Sequence, residues 1–145
     1  MKSKNALRRA CAILDRNNIA YKIDNKNNAI TVKRGTDDKA SIQNIMVLEQ
    51  DTLVFATTKP KVGTVDVQSL SNTNSCIPMG SFHTINIDEG QGLAFKSCLF
   101  LDGLDDIPEK VFMRHMTLGF NMIDLMSEDL WSKAGSDTDY SSMYI

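Results

Sequence analysis

The stretch from Asp106 to Trp131 (DIPEKVFMRHMTLGFNMIDLMSEDLW) constrains this chain most, because it is a long helix with more apolar surface than one contact can bury. Its start is marked by Asp105 and Asp106, then Ile107-Pro108-Glu109. That gives an acidic cap, a proline in the first turn and a glutamate facing the helix dipole. One apolar stripe runs through Phe112, Met116, Phe120 (with Gly119 beside it), Ile123, Met126 and Leu130. A second runs through Val111, Leu118, Met122 and Leu125, with His115 at its edge. A helix on the surface of a monomer needs a single stripe. The Phe112–Phe120–Ile123 stripe is therefore assigned to the protein's own sheet, and the second to a partner. Four of the eight methionines (Met113, Met116, Met122, Met126) fall in this helix. Methionine adapts its shape and is over-used at promiscuous binding surfaces, although it also fills gaps in cores.

The rest of the chain has to supply that sheet. A first helix is expected from Ser3 to Asn17, with Leu7, Ala10, Cys11 and Leu14 on one face and Asn17-Asn18 as its stop. The period then changes to two. Ala20–Asp24 and Ala29–Lys33 form a hairpin through Asn25–Asn28, with Ile30 and Val32 inward. Ser41–Leu48 is a third strand whose apolar end (Ile45, Met46, Val47, Leu48) suggests cover on both faces. Thr52–Thr58 is a fourth, rich in β-branched and aromatic residues. After a break at Lys59–Gly63, residues 65–74 form a short helix or turn anchored by Val67 and Leu70, and Cys76–Gly80 is a rigid connector. Ser81–Asp88 and Leu93–Leu101 are the fifth and sixth strands, joined by Glu89–Gly92. Short hairpin links make the sheet mainly antiparallel, and its apolar face must be covered by the helices. The class is α+β: an antiparallel sheet of five or six strands, an N-terminal and a long C-terminal helix packed on it, and a short middle helix or turn. One domain is expected over residues 1–133, followed by a flexible tail over 134–145, which is small and polar.

The run Ser69-Leu70-Ser71-Asn72-Thr73-Asn74, then Ile77-Pro78-Met79-Gly80-Ser81-Phe82, resembles the "leucine, asparagine, then proline-x-glycine-x-phenylalanine" signature of YbjN-type proteins. The strand Gly92–Lys96, the long final helix, and upstream Ile19–Asp24 with its preceding helix continue the likeness over about residues 4–131. The resemblance implies the type III secretion chaperone-like fold. It also implies a non-enzymatic binding or chaperone-like module, often self-associating. The Ser/Thr-rich connector (SLSNTNSC) departs from the more apolar form usual in that family.

Few residues offer chemistry. His83 and His115 are the only histidines, and no pair among them and Cys76 or Cys98 has short metal-ligand spacing, so no metal or cofactor is expected. A Cys–His pair (Cys76 or Cys98 with His83) is the one enzymatic constellation available, but it needs a base and an orienting group at hydrogen-bond distance. Cys98 alternates with Leu99 and Leu101 and is read as a small buried apolar residue. Glu89-Gly90-Gln91-Gly92 lacks a lysine and precedes a strand, so it is no phosphate loop. The carboxylates Asp102, Asp105 and Asp106 lack the spacing of a calcium loop. Lys2, Lys4, Arg8, Arg9 and Arg16 make the first helix basic, which is read as a solvated face. The formal net charge of −2 gives no general attraction to nucleic acid or anionic membrane. The basic start is broken by Arg8, Arg9, Asp15 and Arg16, so it is neither a signal peptide nor a membrane span. Three widely spaced cysteines fit reduced thiols in a cytoplasm.

The expected function is a non-enzymatic interaction module, chaperone- or adaptor-like, that self-associates as a homodimer and binds a protein or peptide client. The partner-binding residues are Val111, His115, Leu118, Met122 and Leu125, with His115 on the rim, where a proton could tune association. The alternatives are a small inhibitor or immunity-type protein that blocks a target, and a cysteine-dependent enzyme.

Overall fold

The computed structural model describes residues 3–48 and 51–132; residues 134–145, expected as a flexible tail, lie outside them. The elements are α1 (Ser3–Arg16), β1 (Lys22–Asp24), β2 (Ala29–Arg34), β3 (Ser41–Leu48), β4 (Thr52–Thr58), α2 (Val67–Ser75), β5 (Ser81–Ile87), β6 (Gly90–Phe100) and α3 (Glu109–Leu125). The strands form one six-stranded sheet in the order β1-β2-β3-β4-β6-β5, with every neighbouring pair antiparallel. The α+β class read from the sequence is the observed one. Only the step from β4 through α2 leaves the hairpin pattern: it carries β5 to the outer edge, and β6 returns between β5 and β4.

Period-two alternation sets the two sheet faces. Ile30, Ile45, Phe55 and Ser97 lie side by side across β2, β3, β4 and β6, and all four are buried. The helices pack on this face. α1 contributes Ala6, Leu7, Ala10, Cys11, Ile13 and Leu14, and α3 contributes Phe112, Met116 and Phe120 to the same cluster. A second cluster joins Phe82, Leu93, Phe95, Ile123, Leu130, Trp131 and Val65. α3 spans both clusters, which accounts for its length. β3 departs from the expected double cover. Ser41, Gln43, Ile45 and Val47 are buried, while Ile42, Asn44 and Met46 are only half-buried and Leu48 is exposed. The reason is that both long helices lie on one side, so among the described residues the outer side chains of β3 are shielded by their neighbours in the sheet. Cys98 lies on that outer face and is exposed, which corrects its reading as a buried apolar residue.

The helix ends follow from local chemistry. Asn18 takes a left-handed φ of 57°, which lets Ile19 N–H donate to Leu14 C=O at 2.9 Å and Asn18 N–H donate to Asp15 C=O at 3.1 Å, a double closure of α1. The start of α3 is not capped by the acidic pair. Pro108 occupies the cap position, and no side chain caps it. Asp106 falls two residues early and instead pairs with Arg9 at 2.9 Å, while Glu109 pairs with Arg16 at 2.7 Å. These acids tie α3 to α1. At its other end α3 stops at Leu125, earlier than expected. Ser127–Leu130 forms a 3-10 turn, and Trp131 bridges to Val65.

Candidate partner-binding groove

α2 carries almost no apolar residues (VQSLSNTNS), so packing alone cannot place it. Hydrogen bonds do. Asp66 caps it by accepting from Gln68 N–H and Ser69 N–H at 3.1 and 3.3 Å, and Asp66 N–H donates to Leu130 C=O at 2.8 Å. At the far end the Asn74 carboxamide grips the Phe82 backbone at both its groups. Nδ2–H donates to Phe82 C=O at 3.0 Å, and Phe82 N–H donates to Oδ1 at 2.7 Å. Leu70 and Ile77 then pack half-buried on the second core cluster. Gly80 has a φ of +86°, and a Cβ there would lie 2.7 Å from both Lys96 O and the Phe95 ring. The connector Ile77–Gly80 is therefore pressed onto β6, with a glycine where no side chain fits.

Between this connector and α3 lies a groove of about 510 Å³ lined by Asn72, Thr73, Cys76, Ile77, Pro78, Met79, Leu118, Met122 and Met126. Among the described residues no charged side chain lines it. Three methionines and a proline around an uncharged hollow suit the apolar side chains of a peptide or an amphipathic helix. A larger hollow of about 710 Å³ lies between α1 and the β1–β2 hairpin, lined by Leu7, Arg8, Cys11, Ile23, Asn25 and Asn28. Its wall includes a cation and two amides, and none of it belongs to the doubly apolar helix.

Of the five partner-binding residues expected on α3, the structure buries one and places two in the groove lining. Leu118 and Met122 line the groove while half-buried against the second cluster. Val111 is half-buried on the first cluster, a turn or more away. Leu125 is 75% exposed and stands outside the groove lining. His115 is 3% exposed, so it is no rim residue. Its ring stacks on Phe55 with centroids 5.2 Å apart at 15°, and Nδ1 lies 2.8 Å from Ser97 Oγ. Gly119, one turn further on, is buried on the same side of α3, and a Cβ there would meet Gln43 and Thr57 of the sheet. Burial then holds the His115 pKa below its ordinary value, with the nearby Arg114 charge acting in the same direction.

The second wall of the groove, Ile77-Pro78-Met79, was absent from the sequence-based site. The available signal was an apolar run locked between a helix end and a glycine. The Cys–His constellation is not assembled around His83. His83 sits on the outer sheet face opposite Ala94, Cys98 is four residues further along β6, and Cys76 follows α2. The nearest polar partner of His83 is Ser81, whose Oγ lies 2.8 Å from Nε2. Among the described residues no three His, Cys, Asp or Glu side chains stand together as a metal site, and no helix is long and apolar enough to cross a membrane.

The fold is similar to that of YbjN from E. coli, a proposed transcription regulator, with a TM-score of 0.57 over 81% of this chain and 84% of that chain. Sequence identity is 12%, so the likeness shows a YbjN-like fold. No protein-family profile and no curated protein matches the sequence.

Proposed function

We propose that this YbjN-like fold serves as a cytoplasmic, non-enzymatic interaction module over residues 1–133, chaperone- or adaptor-like. It holds apolar side chains of a protein partner in the groove between α2 and α3. One observation carries the reading: Leu118, Met122 and Met126 face Ile77, Pro78 and Met79 across an uncharged hollow. Adaptable thioethers on a rigid, hydrogen-bonded frame suit a client whose side chains vary. Self-association as a homodimer is part of the same reading. The likeness to a proposed regulator is compatible with action through another protein, because a net charge of −2 does not favour direct contact with nucleic acid.

The test replaces Leu118 and Met122 together with aspartate and compares affinity purifications of wild type and variant. Circular dichroism and melting are recorded to confirm that the variant folds. Proteins retained by the wild type and lost by a folded variant support the reading. Identical retained sets would sink it.

A further inference from the structure

Among the described residues β5 is an edge strand with nothing paired on its outer side, and its own sequence is uncharged. The sequence SFHTINI holds no lysine, glutamate, aspartate or proline, the usual devices that stop an edge from pairing with another chain. The opposite edge, β1, is three residues long and carries Lys22 and Asp24. In the β5–β6 ladder, residues alternate between facing β6 and facing outward. Phe82 faces outward, since its N–H and C=O both go to Asn74. Thr84 and Asn86 share its parity, so their N–H and C=O groups also point away from β6, and both residues are exposed. The Asn74 carboxamide thus stands in for one residue of a missing neighbouring strand and closes the edge at Phe82.

We infer that the free edge from His83 to Ile87 pairs antiparallel with the same edge of a second copy of this chain, centred on Ile85. This deepens the self-association in the reading above and moves it from α3 to β5. The edge fits itself in three ways. Thr84 of one copy meets Asn86 of the other, so each such pair can exchange both backbone hydrogen bonds. Ile85 meets its own counterpart and Ile87 meets His83, bringing together side chains that are 38% and 43% exposed for the two isoleucines. The third fit is at the ends. Antiparallel pairing brings the Asp88–Glu89 turn of one copy to the Ser81 end of the other, where Lys96 lies opposite Ser81 on β6. There the turn leaves the edge, just where Asn74 closes it. The dimer so formed is a continuous sheet.

Sedimentation of the full chain over a concentration series tests this. The wild type should pass from monomer to dimer. Thr84→Pro removes an outward N–H and spares the β5–β6 ladder, as proline is tolerated on the free side of an edge. Ile85→Lys sets two ammonium groups against each other at the centre. Each should weaken the dimer about tenfold or more, with circular dichroism unchanged. Met122→Glu should leave the dimer intact while reducing client retention, so failure of the groove reading and failure of the edge reading give different results. If Thr84→Pro does not fold, Ile85→Lys decides alone. A wild type that stays monomeric throughout overturns the inference, as does a folded Ile85→Lys chain that dimerises normally.

Discussion

His115 lies flat on Phe55, ring centroids 5.2 Å apart, with Nδ1 2.8 Å from Ser97 Oγ. A neutral imidazole suits this place, because burial opposes its charged form and Arg114 is of like sign. The folded pKa is thus below the ordinary 6.5, which the unfolded chain keeps. Above that value neither state takes up the proton and the full stability is present. As pH falls through it, the unfolded chain protonates first and stability is lost. Urea denaturation at pH 7.5 and at pH 5.5 should show a lower midpoint at the acid end. His115→Gln should be less stable at pH 7.5 and should have a flatter pH dependence. His83 is also held below its ordinary value by burial and by Lys96, so His83→Gln is the control for the remaining slope. An unchanged slope in the His115 variant would contradict the assignment.

Gly119 marks a close approach of α3 to the sheet. A Cβ there would lie 2.6 Å from Gln43 Nε2 and closer still to Thr57 Oγ1. Gln43 Nε2 cannot yield freely, since it donates to Thr57 Oγ1 at 2.9 Å and to Met116 C=O at 3.0 Å. Two effects of Gly119→Ala compete. Helix propensity alone favours alanine by about 1 kcal/mol. Overpacking a well-filled contact costs about 1–3 kcal/mol and also threatens the hydrogen bonds of a buried glutamine. The net expectation is a loss of about 1–2 kcal/mol by denaturant titration. A more stable variant would show that the helix can lift off without cost.

Much of this fold is legible in the sequence because alternation is local. Ile30, Val32, Ile45, Phe55, Leu93, Phe95 and Leu99 all face the helices as a period of two requires, and β3 and β4 have the expected bounds. The site is less legible because it depends on depth and pairing across the chain. On a helix, His115 falls beside the second stripe. Its burial follows from Phe55 and Ser97, which are distant in sequence. α2 is nearly invisible to periodicity, because two carboxamide and carboxylate contacts hold it, by Asn74 and Asp66, rather than an apolar face. The double cover expected of β3 is not found because an apolar run does not say how many layers the fold has.

Asp124 anchors the second half of α3. Its carboxylate accepts from Ser41 Oγ and from Arg34, and lies 3.1 Å from Lys59 Nζ. Burial would raise its pKa, but these donors outweigh that and hold it below the usual carboxylate range. The group therefore stabilises the fold above that range, and the contribution disappears as pH falls through the lowered folded value. Asp124→Asn should cost about 1.5–3 kcal/mol at pH 7, the usual loss for charge-assisted hydrogen bonds. The loss should shrink towards pH 3. A cost that is the same at both pH values would mean that shape and not charge is what Asp124 supplies.

Asn74 is the hinge between the frame and the groove. Its two bonds to Phe82 are the firmest tie of α2 to the sheet, and that helix has no fully buried side chain. Asn74→Ala removes both partners of one backbone residue and should cost about 1–3 kcal/mol. Asn74→Asp separates the two bonds. It keeps the acceptor for Phe82 N–H but sets a second oxygen against Phe82 C=O, so it should be no better than alanine despite its similar shape. Amide exchange gives the local reading: Phe82 N–H should exchange faster in Asn74→Ala, which loses its acceptor, than in Asn74→Asp, which keeps it, while Phe95 N–H, inside the sheet, should be unaffected. The consequence for function follows from position. Ile77–Met79 form one wall of the groove and come directly after α2, so a loosened α2 leaves Leu118 and Met122 without a fixed opposing surface. Client retention should therefore fall in Asn74→Ala even though no lining side chain has been changed. Retention at the wild-type level alongside fast Phe82 exchange would show that the groove does not need its second wall.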